Sequence, residues 1–557
     1  MDDIVFIGFR SYKTNLFEVS GEMNILIRKI VYVITAVLFG CFTGGCGEGG
    51  GRGSKSLIPS VDLGPTIGSL VEMSWPESVK LEGYGLVVGL MGTGSGECPP
   101  QIRTYLGQHV QTLFPGRRID VAKFIDGSDT AVVLVEGIMP TVASRNENFD
   151  VRVSALDGTQ TTSLEGGWLL GTELKSVGTF GITTKVVAKA QGTVYFDKFG
   201  TSKINKRAGY VLAGGKVLDE YKITLELQEP DLRMTNNIRN RVNELFGDVT
   251  AKVVLPGRLE VTVPAKYREQ KQRFISIMKA TYLTQSTEII NERIKIFIRK
   301  LAALQDADAS ETALEAIGNQ SLLGLNTLLT VSNEQVRLRA ARCMLNLGSD
   351  AGLMTLRQIA MDVKSAYRIE ALESITAGAR RNDAARISQR LLRDDDFRVR
   401  LAAYEQLRKI GDIAVTQELV GSNFYLEQIA QTEQKVIFVS RSGQPRIALF
   451  GAPIYCNSGI FVRSEDGNIT INAPSGQGYV SIIRKHPHRP GVVVQLRSSF
   501  ELSDIIRTLC EKPAEEDKPG RGGLGVPYAD VIALLKRMCD KGALKAEFWA
   551  GALPKIG

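Results

Sequence analysis

Six glycines, at positions 83, 85, 89, 92, 94 and 96, crowd around one short apolar run, Leu86-Val87-Val88. Such a run reads as a buried strand whose ends turn sharply. Glycine permits backbone angles and close approaches that a Cβ forbids, and it loses more entropy on folding than other residues. This density therefore specifies a particular backbone shape. The shape either cradles a ligand or fits another piece of protein.

The residues speak against a nucleotide cradle. No Gly-Lys-Ser or Gly-Lys-Thr is present, and Ser54-Lys55-Ser56 lacks the glycine that a P-loop places directly before its lysine. A dinucleotide turn needs GxGxxG after a strand and before a helix. Gly83-x-Gly85 precedes the apolar run, and Gly92-Thr-Gly94-Ser-Gly96 leads to Pro99-Pro100. The prolines are expected to break a helix start whose amides would meet phosphate. A structural strand and turn is the expectation, with Gly83, Tyr84, Gly85, Gly89, Gly92 and Gly94 as its motif residues.

A chain of 557 residues has room for several domains, each with a core. Its net charge of +8 is spread along that length, and only three Trp occur, so no basic and aromatic nucleic-acid platform is visible. Three His in all, with no Ser-His-Asp pattern, paired carboxylates or metal spacing, leave an enzyme little support. No catalytic residue, metal or cofactor is expected.

The first 56 residues read as an export signal and tether. Arg28-Lys29 is a basic head, and the apolar run from Ile30 to Phe39 is short for a membrane span. Two cuts of the lipoprotein type compete, before Cys41 and before Cys46, and Gly-Glu-Gly-Gly-Gly-Arg-Gly-Ser after Cys46 is a flexible tether. Five further cysteines, Cys98, Cys343, Cys456, Cys510 and Cys539, lie in no CxxC, and some could pair in an oxidising compartment.

Strand-like runs and glycine turns alternate over residues 57–215. Thr130-Ala-Val-Val-Leu-Val135 reads as a buried strand and Phe149-Asp-Val-Arg-Val-Ser154 as a half-exposed one. Residues 216–285 read as a compact α/β unit. Its strands are near Tyr221-Lys-Ile-Thr-Leu-Glu-Leu227 and Leu259-Glu-Val-Thr-Val263, and a helix over 234–246 carries Ile238, Val242, Leu245 and Phe246 on one face.

Six segments in order resemble the flagellar P-ring protein family. They are Glu82-Gly-Tyr-Gly-Leu-Val-Val-Gly-Leu-Met-Gly-Thr-Gly94, Ala131-Val-Val-Leu-Val135 with Met139-Pro140, Phe149-Asp-Val-Arg-Val-Ser-Ala-Leu-Asp-Gly158, Ser163-Leu-Glu-Gly-Gly-Trp-Leu-Leu170, Ala188-Lys-Ala-Gln-Gly192 and Leu225-Glu-Leu-Gln-Glu-Pro-Asp231. Gly166 and Gly167 join the motif residues through the fourth segment. The resemblance covers residues 57–280. It implies a periplasmic structural protein that closes a homo-oligomeric ring around the flagellar rod beneath the L ring, with rod and L-ring proteins as partners and peptidoglycan as a further candidate. Ring closure by identical subunits needs heterologous, head-to-tail interfaces.

From residue 290 to 420 the pattern leaves that family. Gly318, Gly348, Gly378 and Gly411 each end an apolar helix, and Val336-Arg-Leu-Arg-Ala340, Tyr367-Arg-Ile-Glu-Ala371 and Val399-Arg-Leu-Ala-Ala403 repeat one helix start. This reads as a HEAT-like array, either a spacer or a concave surface for a protein partner. Arg337, Arg368 and Arg400 either line that surface or stabilise helices. Short strands over 430–510 suggest a β-sandwich or barrel, with His486-Pro-His488 as a turn, and residues 511–557 read as a linker and final helix. The expected fold is therefore multidomain α+β: a β-rich domain, an α/β ring-building unit, a helical solenoid and a small C-terminal β-domain. The expected function is a P-ring-like structural subunit that supports motility. The alternative is an envelope lipoprotein that reuses the ring domain as a protein-binding scaffold without a flagellum; on either reading a lipid could anchor the chain to the outer membrane.

Overall fold

A computed structural model describes residues 63–556 except 75–77, 117–119, 178–184, 200–203, 220–221, 422–423, 487–488 and 513–521. The export segment with Cys41 and Cys46 lies outside the described residues, as do the tip of the His486-Pro-His488 turn and much of the linker after it.

A short helix α1 (Ile67–Leu70) leads into strand β1 (Val71–Ser74). Six strands follow: β2 (Val79–Val88), β3 (Thr130–Met139), β4 (Asn148–Ala155), β5 (Trp168–Ser176), β6 (Ala188–Thr193) and β7 (Ala208–Val217). They close into a barrel in the order β2-β3-β4-β7-β6-β5. Alternate residues fill its interior, among them Leu81, Val87, Val133, Val135, Val151, Val153, Ala188 and Ala190. Six strands leave a narrow lumen, which is why small residues recur on the inner face. Phe149 fills it beside Gly137 and Gly215, where a Cβ would come within 2.8 and 2.6 Å of the ring.

Between β2 and β3 lie helices α2 (Pro100–Leu113) and α3 (Val121–Ile125). The expectation that Pro99-Pro100 stops a helix is wrong, because α2 begins there, with Pro99 at its N-cap and Pro100 in its first turn. A missing N–H costs nothing where the helix has no acceptor for it, and the fixed φ of proline suits a first turn. Ile102, Leu106 and Val110, spaced by four, pack α2 against Leu86 and Val132 on the outside of the barrel.

The α/β unit is a four-stranded antiparallel sheet, β1-β8-β10-β9, made with β8 (Ile223–Leu227), β9 (Ala251–Leu255) and β10 (Arg258–Val261). Helices α4 (Leu232–Phe246) and α5 (Lys271–Ala280) cover it through Ile238, Val242, Phe274 and Met278. Asp231 caps α4, accepting from the N–H groups of Arg233 and Met234 at 2.9 and 3.2 Å. Because β1 pairs with β8, the barrel is an excursion between two neighbouring strands of this sheet.

Eight helices follow: α6 (Thr287–Ala302), α7 (Ala307–Ile317), α8 (Leu322–Leu328), α9 (Glu334–Asn346), α10 (Asp350–Met361), α11 (Arg368–Gly378), α12 (Arg381–Leu391) and α13 (Phe397–Ile410). Gly318, Gly348 and Gly411 take positive φ just beyond α7, α9 and α13, as C-terminal glycines do. Gly378 differs: it is the last helical residue of α11, and a Cβ there would come within 2.8 Å of Asn346 on α9. Its role is close helix packing.

The repeated arginines turn inward and line no groove. Arg400 donates to the carbonyls of Asp394 and Asp395, and Arg337 to those of Val331 and Ser332. Arg368 donates to the carbonyl of Ala360 and pairs with Asp394. Arg400 and Arg337 reach back to the turn that precedes their own helix, whereas Arg368 ties the last turn of α10 to the stretch after α12.

The last part of the chain forms two open sheets. One is mixed, β11-β12-β14-β13-β19, from β11 (Thr416–Val420), β12 (Phe424–Ile429), β13 (Val436–Val439), β14 (Arg446–Phe450) and β19 (Glu547–Ala550). The other is antiparallel, β15-β16-β17-β18, from β15 (Ile460–Arg463), β16 (Ile469–Ala473), β17 (Val480–His486) and β18 (Arg489–Ser498). Helices α14 (Leu502–Cys510) and α15 (Tyr528–Asp540) complete their shared core. The expected sandwich or barrel is thus corrected to two sheets with packed helices. Thr416-Gln-Glu-Leu-Val420, with three polar residues in five, carries no strand pattern of its own and is completed by antiparallel pairing with the next strand, β12. Every residue of β13 is buried, because the helical layer covers one face of its sheet and the C-terminal core the other. Cys98, Cys343, Cys456, Cys510 and Cys539 are all free thiols.

Candidate functional site

The glycine motif forms the seam of the barrel. Gly83, Tyr84 and Gly85 lie inside β2, where sequence reading had placed the two glycines before the strand. Their outer neighbour is β5, whose pairing with β2 shifts register between Glu82 and Val87. At that shift the two backbones come close. A Cβ on Gly83 would stand 2.1 Å from the Glu173 carbonyl oxygen, and one on Gly85 would stand 2.2 Å from the Thr172 hydroxyl. Tyr84, on the opposite face, packs half-buried against the α2 layer.

The remaining motif glycines shape the turns beside the seam. Gly89 and Gly92 take φ of +81° and +96° at the end of β2. Gly94 lies against the Thr130 carbonyl, and its N–H donates to the carbonyl of Ser128 at 2.8 Å. Gly166 takes φ of +79° in the turn into β5, and Gly167 is covered by Val87 and Leu90. Gly94 and Gly167 are thus covered by the protein itself, while Gly89, Gly92 and Gly166 face open space and serve through their backbone angles. A helix does follow it, yet the proline at its N-cap and the one in its first turn carry no N–H to offer an anion.

A second set of residues joins the barrel to the C-terminal sheets, and sequence reading missed it. Asp150 on β4 accepts from the Gly443 N–H at 2.8 Å and from the Ala213 N–H at 2.7 Å. Arg441 pairs with Asp197 at 3.2 Å and donates to the Gly551 carbonyl at 2.6 Å. Lys198 bridges Glu165 and Asp530 at 2.6 and 2.5 Å. Burial alone would lower the Lys198 pKa, but the two carboxylates outweigh it and raise the value. Tyr528, buried, donates to the carbonyls of Ser440 and Arg446 at 2.7 and 2.8 Å. Asp150 does stand in a quoted motif, at a polar position of an alternating strand. Its partner lies 293 residues onward, and no local pattern links the two.

Asp150→Ala leaves two backbone donors without their acceptor. We expect it to lower stability by about 1–3 kcal/mol. Urea unfolding followed by limited proteolysis would read this as a lower midpoint and earlier cleavage around Gly443.

A third cluster binds the α/β unit to the helices. Glu311 on α7 receives a bidentate pair from Arg342, both arms at 2.7 Å, and further pairs from Arg273 on α5 at 3.0 Å and from Arg339 at 3.2 Å. Arg273 also pairs with Glu315. Burial would raise the Glu311 carboxyl, but Arg342 and Arg273 hold it below the usual carboxylate range.

Taken together, the barrel seam, its turns and these internal clasps are those of a structural protein, with chemistry devoted to fitting backbone to backbone. Residues 66–300 match the family model described as flagellar P-ring protein, and over that stretch the chain is similar to the P-ring family. The family is a structural component of the flagellum, not an enzyme. Similar relatives are the flagellar P-ring proteins of Geotalea uraniireducens, 27% identical over 49% of this chain and 71% of that one, and of Campylobacter jejuni, 29% identical over 38% and 62%. That of Thermotoga maritima is 29% identical over 38% of this chain and 66% of its own length. The alignments thus leave about a third of these relatives, and half or more of this chain, unmatched. Among the described residues no helix is long and apolar enough to cross a membrane.

Proposed function

We propose that the chain is a P-ring-like subunit that self-assembles into a periplasmic ring around the flagellar rod and so supports motility. The observation that carries this reading is the continuity of the family-matched stretch: barrel and α/β unit account for nearly all of residues 66–300. The helices from α6 to α13 act as a HEAT-like scaffold added to that core, and lipid attached at Cys46 or Cys41 holds the subunit at the outer membrane. Electron microscopy of the purified mature protein tests the ring. Closed rings of uniform diameter are expected, and loss of motility on deletion of the gene. A protein that stays monomeric at all concentrations, in a host that swims normally without it, would sink the proposal.

A second reading is favoured by one observation. The residues beyond the family match clasp the barrel itself, through Gly443 on Asp150 and Arg441 on Asp197. On this reading the added parts cap the ring domain, and the protein is an envelope scaffold that binds a partner. Deleting residues 301–557 separates the two: it restores ring formation if the added parts cap the domain.

A further inference from the structure

We propose that the cleft between α10 and α12 is a docking groove for an acidic amphipathic helix of another protein. The cleft encloses about 170 Å³. Each of its walls is one stripe of a helix. Leu353, Arg357 and Met361 recur every four residues along α10, and Asp383, Arg386, Ile387 and Arg390 follow the same helical spacing along α12. Both stripes run for about two turns, or roughly 10 Å at the α-helical rise. A helix laid along such a cleft presents its own side chains at a matching spacing.

The floor is apolar and recessed. Leu353, Met361 and Ile387 pack on the core of the helical array, with Ile387 buried and the other two half-buried. Met354 stands at the mouth, 69% exposed. Its flexible thioether adapts to the shape of an apolar partner. The protruding side chains of a helix reach a recessed floor, whereas a flat bilayer surface would meet only the rim.

The rim is cationic. Arg357, Arg386 and Arg390 stand there against a single carboxylate, Asp383. Asp383 pairs with Arg386, whose side chain nevertheless stays 75% exposed. Arg357 and Arg390 are exposed, and among the described residues neither has a carboxylate partner. Other arginines of the array differ: carboxylates of the protein itself hold Arg339, Arg342 and Arg368. The excess continues along α12, where five arginines and one acidic residue lie between Arg380 and Arg393. An apolar floor beneath unpaired guanidiniums is complemented by apolar side chains flanked by carboxylates.

The proposal rests on the reading of α6–α13 as a scaffold and not on ring formation. The test is fluorescence anisotropy of a labelled eighteen-residue synthetic peptide titrated with the full chain. The peptide carries Leu at the a and d positions of its heptads, Glu at e and g, and Ala elsewhere. The same peptide with Lys in place of Glu is the reference. The acidic peptide is expected to bind at least tenfold tighter than the basic one, and to weaken in 0.5 M salt. R357Q/R390Q should lose about tenfold and M354S about threefold. R233Q/R299Q, which removes two exposed arginines elsewhere, should stay within about twofold of the parent. Equal losses in the two double variants overturn the proposal, because the attraction would then belong to the whole basic surface. Binding of phosphatidylglycerol vesicles that depends on Arg357 and Arg390, with no binding of the peptide, also overturns it and makes the face a lipid contact. Limited proteolysis reads the scaffold separately. An array cleaved throughout fails as a scaffold and takes the groove with it, whereas an intact array that ignores the peptide overturns the groove alone.

Discussion

Gly83→Ala is expected to destabilise the barrel by about 3 kcal/mol, at the upper end of what overpacking costs. The new Cβ would lie 2.1 Å from a backbone oxygen, that of Glu173, which cannot swing away. Either β5 leaves β2 or the sheet bends, and both break the barrel at its closing pair. Gly85→Ala should cost less, about 2 kcal/mol, because the obstruction there is the side chain of Thr172. That difference gives the test its force. Adding Thr172→Gly should restore most of what Gly85→Ala loses, and should do nothing for Gly83→Ala. Equilibrium denaturation of the four variants measures it. If Gly83→Ala melts with the parent, the seam has been misplaced.

Glu311→Ala is expected to cost about 3 kcal/mol, the low end for breaking a buried pair, since it removes the almost wholly buried carboxylate that Arg342, Arg339 and Arg273 share and leaves each with one remaining partner, Glu370, Asp308 and Glu315. The pH dependence has a definite sign. The folded pKa of Glu311 lies below its unfolded value. Its contribution is therefore complete above the ordinary glutamate pKa and is lost as pH falls through the lower folded value. Removing the carboxyl should flatten the acid limb of the stability curve while lowering its plateau near neutrality. Thermal melts from pH 3 to pH 7 would show both. A plateau lowered by under about 1 kcal/mol, the scale of an exposed pair, would mean that the cluster is solvated.

Legibility followed the range of the interactions. β3 was readable from a local apolar run, β4 from local alternation, and α4 because one apolar face repeats every three to four residues. The glycine motif was legible as a demand for an unusual backbone. Its purpose was not, because the obstacle that excludes a Cβ at Gly83 belongs to Glu173, on a strand met much later in the sequence. Pro99-Pro100 misled because the same residue type stops one helix and starts another, and only the position of the first turn decides which. The inward turn of Arg400 was hidden for a related reason. Its acceptors are carbonyls of Asp394 and Asp395, and backbone oxygens leave no trace in side-chain chemistry.

The placement of β1 also governs the order in which this protein can assemble itself. Ser74 pairs with Thr224, so about 150 residues must emerge before the α/β sheet can form its first edge. Closing so large a loop carries an entropic cost that grows only with the logarithm of its length, but the contact is non-local and slow to find. A barrel that folds within the loop brings its own two ends together and shortens the search. The sheet is then templated by the domain it later supports, and a fault in the barrel would first show as a delay in the unit next door.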